Sequence, residues 1–203
     1  MNKHIASFFI FFAVLLISLN TAAAHKEAGS PYQVVKVTGE HLFSRIQLEQ
    51  TNLKSDPKLM QKIVLEELMP VVDHRYAAYK ILGKTYKKMT KQQRKDFVVS
   101  MKNYLVKTYA NALMQYDDQQ VIYQKPQAIK GKKLVSVATK IVADGAPEIS
   151  LVFKMRQNKK TQQWKAYDMV VEGISLIASK QAEFKKRISQ KGIEQVTLEL
   201  AAL

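Results

Sequence analysis

Asp168, Glu172 and Ser175 sit in one short run, YDMVVEGIS, and two acids and a hydroxyl are raw material for acid–base or nucleophilic chemistry. Their spacing argues otherwise. Four residues apart on a strand, Asp168 and Glu172 face the same side but stand roughly 13 Å apart, too far to share a proton. Glu172 beside Gly173 reads as a strand end whose side chain accepts backbone hydrogen bonds. Ser175 reads as the cap of the helix that follows. Histidine adds little. Beyond the first 24 residues the chain has His25, His41 and His74, none spaced for a metal site with another His or a carboxylate pair. His74 follows Asp73, and neighbours on a helix point about 100° apart, a poor dyad. There is no Cys, hence no thiol nucleophile, thiolate metal site or disulfide. GxSxG, HExxH and phosphate-cradling Gly loops are also missing. The expectation is a protein with no catalytic residues and no metal.

The elements around this run are legible from periodicity. Tyr32 to Gln50 has helical spacing, weakened at Gly39. Ser55-Asp56-Pro57 starts a second helix, which Pro70 breaks or kinks. Val71 to Leu82 resumes, and Gly83 stops it. Thr90-Lys-Gln-Gln93 has the form of a capping box and opens a long helix to about Tyr116, with an apolar stripe wide enough to be buried on more than one side. After Asp117-Asp118 the period becomes two. Val121–Tyr123, Leu134–Val142, the run Ile149 to Met155, and Trp164–Val171 read as strands separated by turn residues. A helix from Leu176 to about Ser189, a stop at Gly192 and a short terminal helix close the chain. The fold class is α+β, an antiparallel twisted sheet of about four strands with helices packed on one face.

Residues 1–24 have the plan of a secretory signal peptide: Lys3 and His4, an apolar run from Ile5 to Leu19, then Ala22-Ala23-Ala24. Cleavage after Ala24 gives one domain, residues 25–203, expected in the periplasm. The whole chain carries a formal charge of +15, and loss of Lys3 leaves +14. The cations come in groups, one from Lys80 to Lys95, one from Lys125 to Lys133 and one from Lys154 to Lys165. Outside the inner membrane the available polyanions are phospholipid surfaces and acidic proteins rather than nucleic acid.

Three ordered blocks carry a family resemblance. WKAYDMVVEGISLIASKQAEFKKRISQKGIEQV resembles the C-terminal signature of the MlaC family, also called the toluene-tolerance auxiliary family. VLEELMPVVDHRYAAYKILGKTYKKMTKQQRKDF is similar to its Pro-x-x-Asp, Leu-Gly and Thr-x-x-Gln-Arg section, and KNYLVKTYANALMQY to its Leu-x-x-x-Tyr-Ala-x-Ala-Leu helix. The match runs from about Leu42 to Leu200. His74 stands where members commonly have an aromatic, Tyr86 where many have Trp, and Lys91 where many have Pro.

The resemblance implies a periplasmic carrier of glycerophospholipid, with no cofactor besides that cargo. Its partners would be an outer-membrane lipoprotein/porin complex and an inner-membrane MCE-domain ABC transporter, and the carrier would act as a monomer. It implies an apolar lipid pocket between sheet and helices. Two acyl tails hold roughly 30 methylenes, and at about 0.8 kcal/mol each their exposure to water costs about 24 kcal/mol. The inward strand positions and the facing helix are expected to line that pocket: Val98, Met101, Leu105, Leu113, Val137, Ile141, Leu151, Phe153, Met169, Val171, Ile174 and Leu176. The competing readings are a structural envelope adaptor with a filled core and a periplasmic hydrolase.

Overall fold

The computed structural model describes residues 29–202, and the expected leader with its cleavage point lies outside them. Ser30 caps the first helix, its Oγ accepting from the Gln33 amide at 3.2 Å, and α1 runs from Pro31–Leu48. It passes straight through Gly39. A Cβ at that position would collide with the Tyr123 hydroxyl, so the glycine serves a close approach of helix and sheet rather than a break. Two short helices follow, α2 (Gln50–Ser55) and α3 (Lys58–Ile63). Ahead of Pro70 the chain widens into a π turn, Val64–Leu68, closed by the Met69 amide donating to the Val64 carbonyl. Pro70 has no N–H to continue the ladder, and a single 3-10 turn, Met69–Val71, carries the chain past it.

Helix α4 spans His74–Leu82 and begins later than its periodicity suggests. Val72 lies beside Ala166 as a parallel bridge, and the Asp73 amide donates to the Ala166 carbonyl at 2.7 Å. These sheet bonds hold the segment extended. Asp73 then caps the helix, accepting from the Tyr76 amide at 3.0 Å. Gly83, with φ 51°, ends it. After a 3-10 stretch, Gly83–Lys88, the capping box forms as its sequence requires: Gln93 N–H to Thr90 Oγ1 at 3.1 Å and Thr90 N–H to Gln93 Oε1 at 2.8 Å. It opens α5, Lys91–Leu113.

Five antiparallel strands form a meander in the order β1 (Gln120–Tyr123), β2 (Leu134–Val142), β3 (Ile149–Gln157), β4 (Trp164–Val171) and β5 (Ile174–Ser175). The fifth strand is two residues long. Val171 pairs with Ile174, and the two-residue loop between them, Glu172-Gly173, has φ of 48° and 80°, the left-handed pair that suits the twist of a tight hairpin. Helix α6, Leu176–Ala202, contains Gly192 with φ 80° and ψ 165°, a break between two helical pieces.

Helices address both faces of the sheet rather than one. Met155 and Val137 pack with Trp164 against Tyr32, Val34 and Val35 of α1. Arg156, which points the other way from Met155, meets Asp73 and Tyr76 at the start of α4. Two further apolar clusters lie among the helices. Leu42, Ile46, Met60, Ile63 and Val106 join α1, α3 and α5. Phe97, Met101, Phe184, Val196 and Leu200 join α5 and α6, with Ala78 and Ile81 from α4.

Candidate lipid-binding site

The strand register decides which of the expected lining residues meet. Val137 pairs with Phe153 and Phe153 with Met169; Thr139 pairs with Leu151 and Leu151 with Val171; Ile141 pairs with Ile149. Cross-strand partners share a face, so Val137, Ile141, Leu151, Phe153, Met169, Val171 and Ile174 form one surface, apolar except for Thr139, whose buried Oγ1 has no hydrogen-bond partner among the described residues. The N-terminal part of α1 covers the end of this face near Trp164, where Val137 is fully buried. Toward the other end the cover is incomplete. Ile141, Leu151, Phe153, Met169 and Val171 are half-buried, and Ile174 is 61% exposed. Leu176, half-buried, follows as the first residue of α6.

The expected helical residues are placed differently. Met101 is wholly buried in the core between α5 and α6, and Val98 belongs to the same core. Leu105 packs between the two helical clusters. Leu113 lies at the far end of α5 against the first cluster. The structure therefore gathers the strand set and distributes the four residues of α5.

The opposite face of the sheet is of another character. Its apolar positions Ala138, Val152 and Val170 are interrupted by Lys140, Lys154, Arg156 and Asp168. Asp168 is the one buried acid among the described residues, 8% exposed. Its Oδ2 accepts from Ser175 Oγ at 2.8 Å, its Oδ1 from the Ile177 amide at 3.0 Å, and Lys154 Nζ lies 3.5 Å away. Ser175 Oγ in turn accepts from the Ala178 amide at 3.1 Å, as its capping role requires. Glu172 Oε1 accepts from the Ser150 amide, tying the β4–β5 turn to β3. The three polar side chains Asp168, Glu172 and Ser175 are thus all engaged in positioning β5 and the entry to α6. Tyr109 of α5 is half-buried nearby, and desolvation, with Asp168 and Tyr104 beside it, pushes its hydroxyl up to about 12.

Two polar anchors escaped sequence reading. Asp168 stands directly across from Lys154, a pairing visible only once the register is known. Asp73 both caps α4 and pairs with Arg156; its place three residues before Tyr76, after the Pro70 break, was the available signal. Burial, with help from Lys102, holds the pKa of His74 below its usual value, and its Nδ1 is without a hydrogen-bond partner. Among the described residues no group of His, Asp and Glu is arranged to hold a metal ion, and no helix is long and apolar enough to cross a membrane.

A family model described as MlaC protein matches residues 36–202. The chain belongs to the MlaC family. It is 32% identical over 188 residues to the intermembrane phospholipid transport system binding protein MlaC of Haemophilus influenzae, covering 92% of this chain and 87% of that one. It is 26% identical over 150 residues to a toluene tolerance protein of Pseudomonas putida, covering 73% of this chain and 68% of the other. Its fold is similar to that of a phospholipid-binding protein from Ralstonia solanacearum solved in complex with a phospholipid, with a TM-score of 0.76 at 20% identity, over 85% of this chain and 95% of that one. The α+β architecture expected for an MlaC chain is the one observed, with one more strand than the sequence suggests.

Proposed function

We propose that this chain, after cleavage behind Ala24, is a periplasmic carrier that binds one diacyl glycerophospholipid. It passes that lipid between an outer-membrane lipoprotein/porin complex and an inner-membrane MCE-domain ABC transporter, acting as a monomer. The observation that carries the reading is the half-covered apolar face of the sheet. A row of large apolar side chains left partly exposed costs stability in an empty protein, and acyl tails are the partner that would cover it. The opposite face, broken by Lys140, Lys154, Arg156 and Asp168, offers tails no such run. We place the tails along Ile141, Leu151, Phe153, Met169, Val171 and Ile174, with Leu176 at the end of the row; Val137, covered by α1, closes the row at the Trp164 end. Val98, Met101, Leu105 and Leu113 would join the lining only if α5 moves from its present packing. A hydrolase reading finds its best nucleophile in Ser175, but that hydroxyl is engaged by Asp168 and by the Ala178 amide, with no His beside it.

The test is purification of the exported protein without detergent, then native mass spectrometry and solvent extraction. One bound diacyl phospholipid is expected. Phe153→Glu and Leu151→Glu should abolish loading, whereas Val152→Glu on the opposite face should leave it. A clean apo mass with no uptake from liposomes would return the chain to the adaptor reading. Loss of lipid from Val152→Glu alone would move the cargo to the other face.

A further inference from the structure

The concave groove between α4 and α5 carries a charge pattern that lipid tails do not use. It is about 580 Å³ in volume, within the range of sites that hold a sizeable ligand. Its lining includes Arg75, Lys91, Arg94, Lys95 and Lys102, and no carboxylate. None of these five cations is in an ion pair among the described residues. Asp96 is outside the lining, and its Oδ1 accepts from Gln92 Nε2 at 2.7 Å. Uncompensated like charges repel one another, and an anionic occupant would relieve that repulsion.

The arrangement discriminates between anions. Lys91, Lys95 and Lys102 lie four and seven residues apart, on one side of α5, and are strung over roughly 16 Å of helix. They do not converge on one point, as a lone phosphate would need. Arg94 is already committed: its Nε donates to the Tyr86 carbonyl at 3.0 Å and its guanidinium lies 4.1 Å from the centre of the Tyr86 ring. Its side-on edge is therefore used, and only the end-on pair of N–H groups is left for an anion. Between the cations the groove presents Val98, the half-exposed Val99 and the Tyr79 ring. A flat bilayer cannot follow a concave groove, whereas a peptide can.

We infer that this groove docks an acidic segment of a partner protein, one in which carboxylates alternate with apolar side chains. At roughly 3.3 Å per residue, about five or six extended residues span the cationic stripe. The inference rests on the carrier reading only in that a carrier must dock on proteins at both membranes.

A fluorescein-labelled hexapeptide of alternating Glu and Leu, followed by fluorescence anisotropy on the full exported protein, tests it. Binding is expected at low ionic strength, weakening as salt screens the charges. The Lys91→Glu/Lys95→Glu/Lys102→Glu variant should weaken it by about tenfold or more, and the corresponding triple Gln variant should weaken it less, in the same direction. Lys125→Glu/Lys130→Glu/Lys132→Glu, an equal charge change outside the groove, should leave it nearly unchanged. Equal loss in that control would reduce the effect to net charge and overturn the inference, as would failure of the native protein to bind the peptide. If the groove variant instead loses sedimentation with phosphatidylglycerol vesicles while keeping the peptide, the surface faces lipid and the protein partner is wrong. Copurified phospholipid, measured on the same variants, should be unchanged, which separates this outcome from any failure of cargo binding.

Discussion

Asp168 joins three elements through one carboxylate. On β4 it faces Lys154 of β3, receives the hydroxyl of Ser175 on β5, and accepts the Ile177 amide in the first turn of α6. A charge so little exposed is tolerable because both oxygens are satisfied and a cation stands close by. Asp168→Ala removes the acceptors and strands the Ile177 donor and the Ser175 hydroxyl, at a cost of about 2 kcal/mol. Asp168→Asn keeps one acceptor oxygen and should lose less. The midpoint of urea unfolding measures both, and a midpoint unchanged in the Ala variant would show the α6 entry to be held by packing alone. The residues that looked most chemical in the sequence are therefore anchors. The same holds for Asp73, whose cap on α4 and pair with Arg156 join a helix to the sheet.

At the scale of elements, α6 shows how a local signal reaches across the fold. Gly192 combines φ 80° with ψ 165°, a region open to glycine and to few other residues. The turn it makes returns Val196 and Leu200 to the core around Phe184. The returning piece is held by Glu199, which accepts from Lys191 Nζ at 2.8 Å and from Arg187 at 2.7 Å; these two bonds hold its carboxyl down to about 2. An added Cβ at Gly192 would meet nothing closer than a Glu194 carboxylate oxygen at 3.9 Å, so the cost of Gly192→Ala is conformational rather than steric. About 1–3 kcal/mol is expected, read again as a lower urea midpoint. An unchanged midpoint would mean that the terminal piece can dock from a continuous helix.

The contrast between α6 and α4 shows what the sequence could carry. Signals that act within a few residues were legible: the Thr90–Gln93 box, the stops at Gly83 and Gly192, the Ser175 cap and the alternation of β2, β3 and β4. Where a distant element decides, the local pattern misleads. Helix α4 starts late because Val72 and Asp73 are held by β4. Gly39 looked like a weak point because its partner, Tyr123, is far away in sequence. The same limit applies to the site. Period two suffices to put the strand residues on one face, since alternation alone fixes a face. The stripe on α5 could not say which neighbour each residue meets, and Met101 and Val98 went to helices rather than to the sheet.

The whole molecule has its apolar surface divided between closed helical cores and one sheet face closed only at the Trp164 end. That division predicts that cargo and stability are coupled. A lipid that binds the folded chain and not the unfolded one adds RT ln(1 + [L]/Kd), about 2.7 kcal/mol when free lipid stands about a hundredfold above Kd. For a chain of this size each kcal/mol moves Tm by about 2–4 °C, so stripping the lipid should lower Tm by about 5–10 °C. Calorimetry on protein as purified, and on the same protein refolded after solvent extraction, measures the shift. Adding phospholipid back should restore it. Phe153→Glu, which should carry no cargo, is expected to show neither the loss nor the recovery. Equal Tm values for loaded and stripped native protein would mean that the sheet face closes on itself when empty, and that the cavity is made only as the lipid enters.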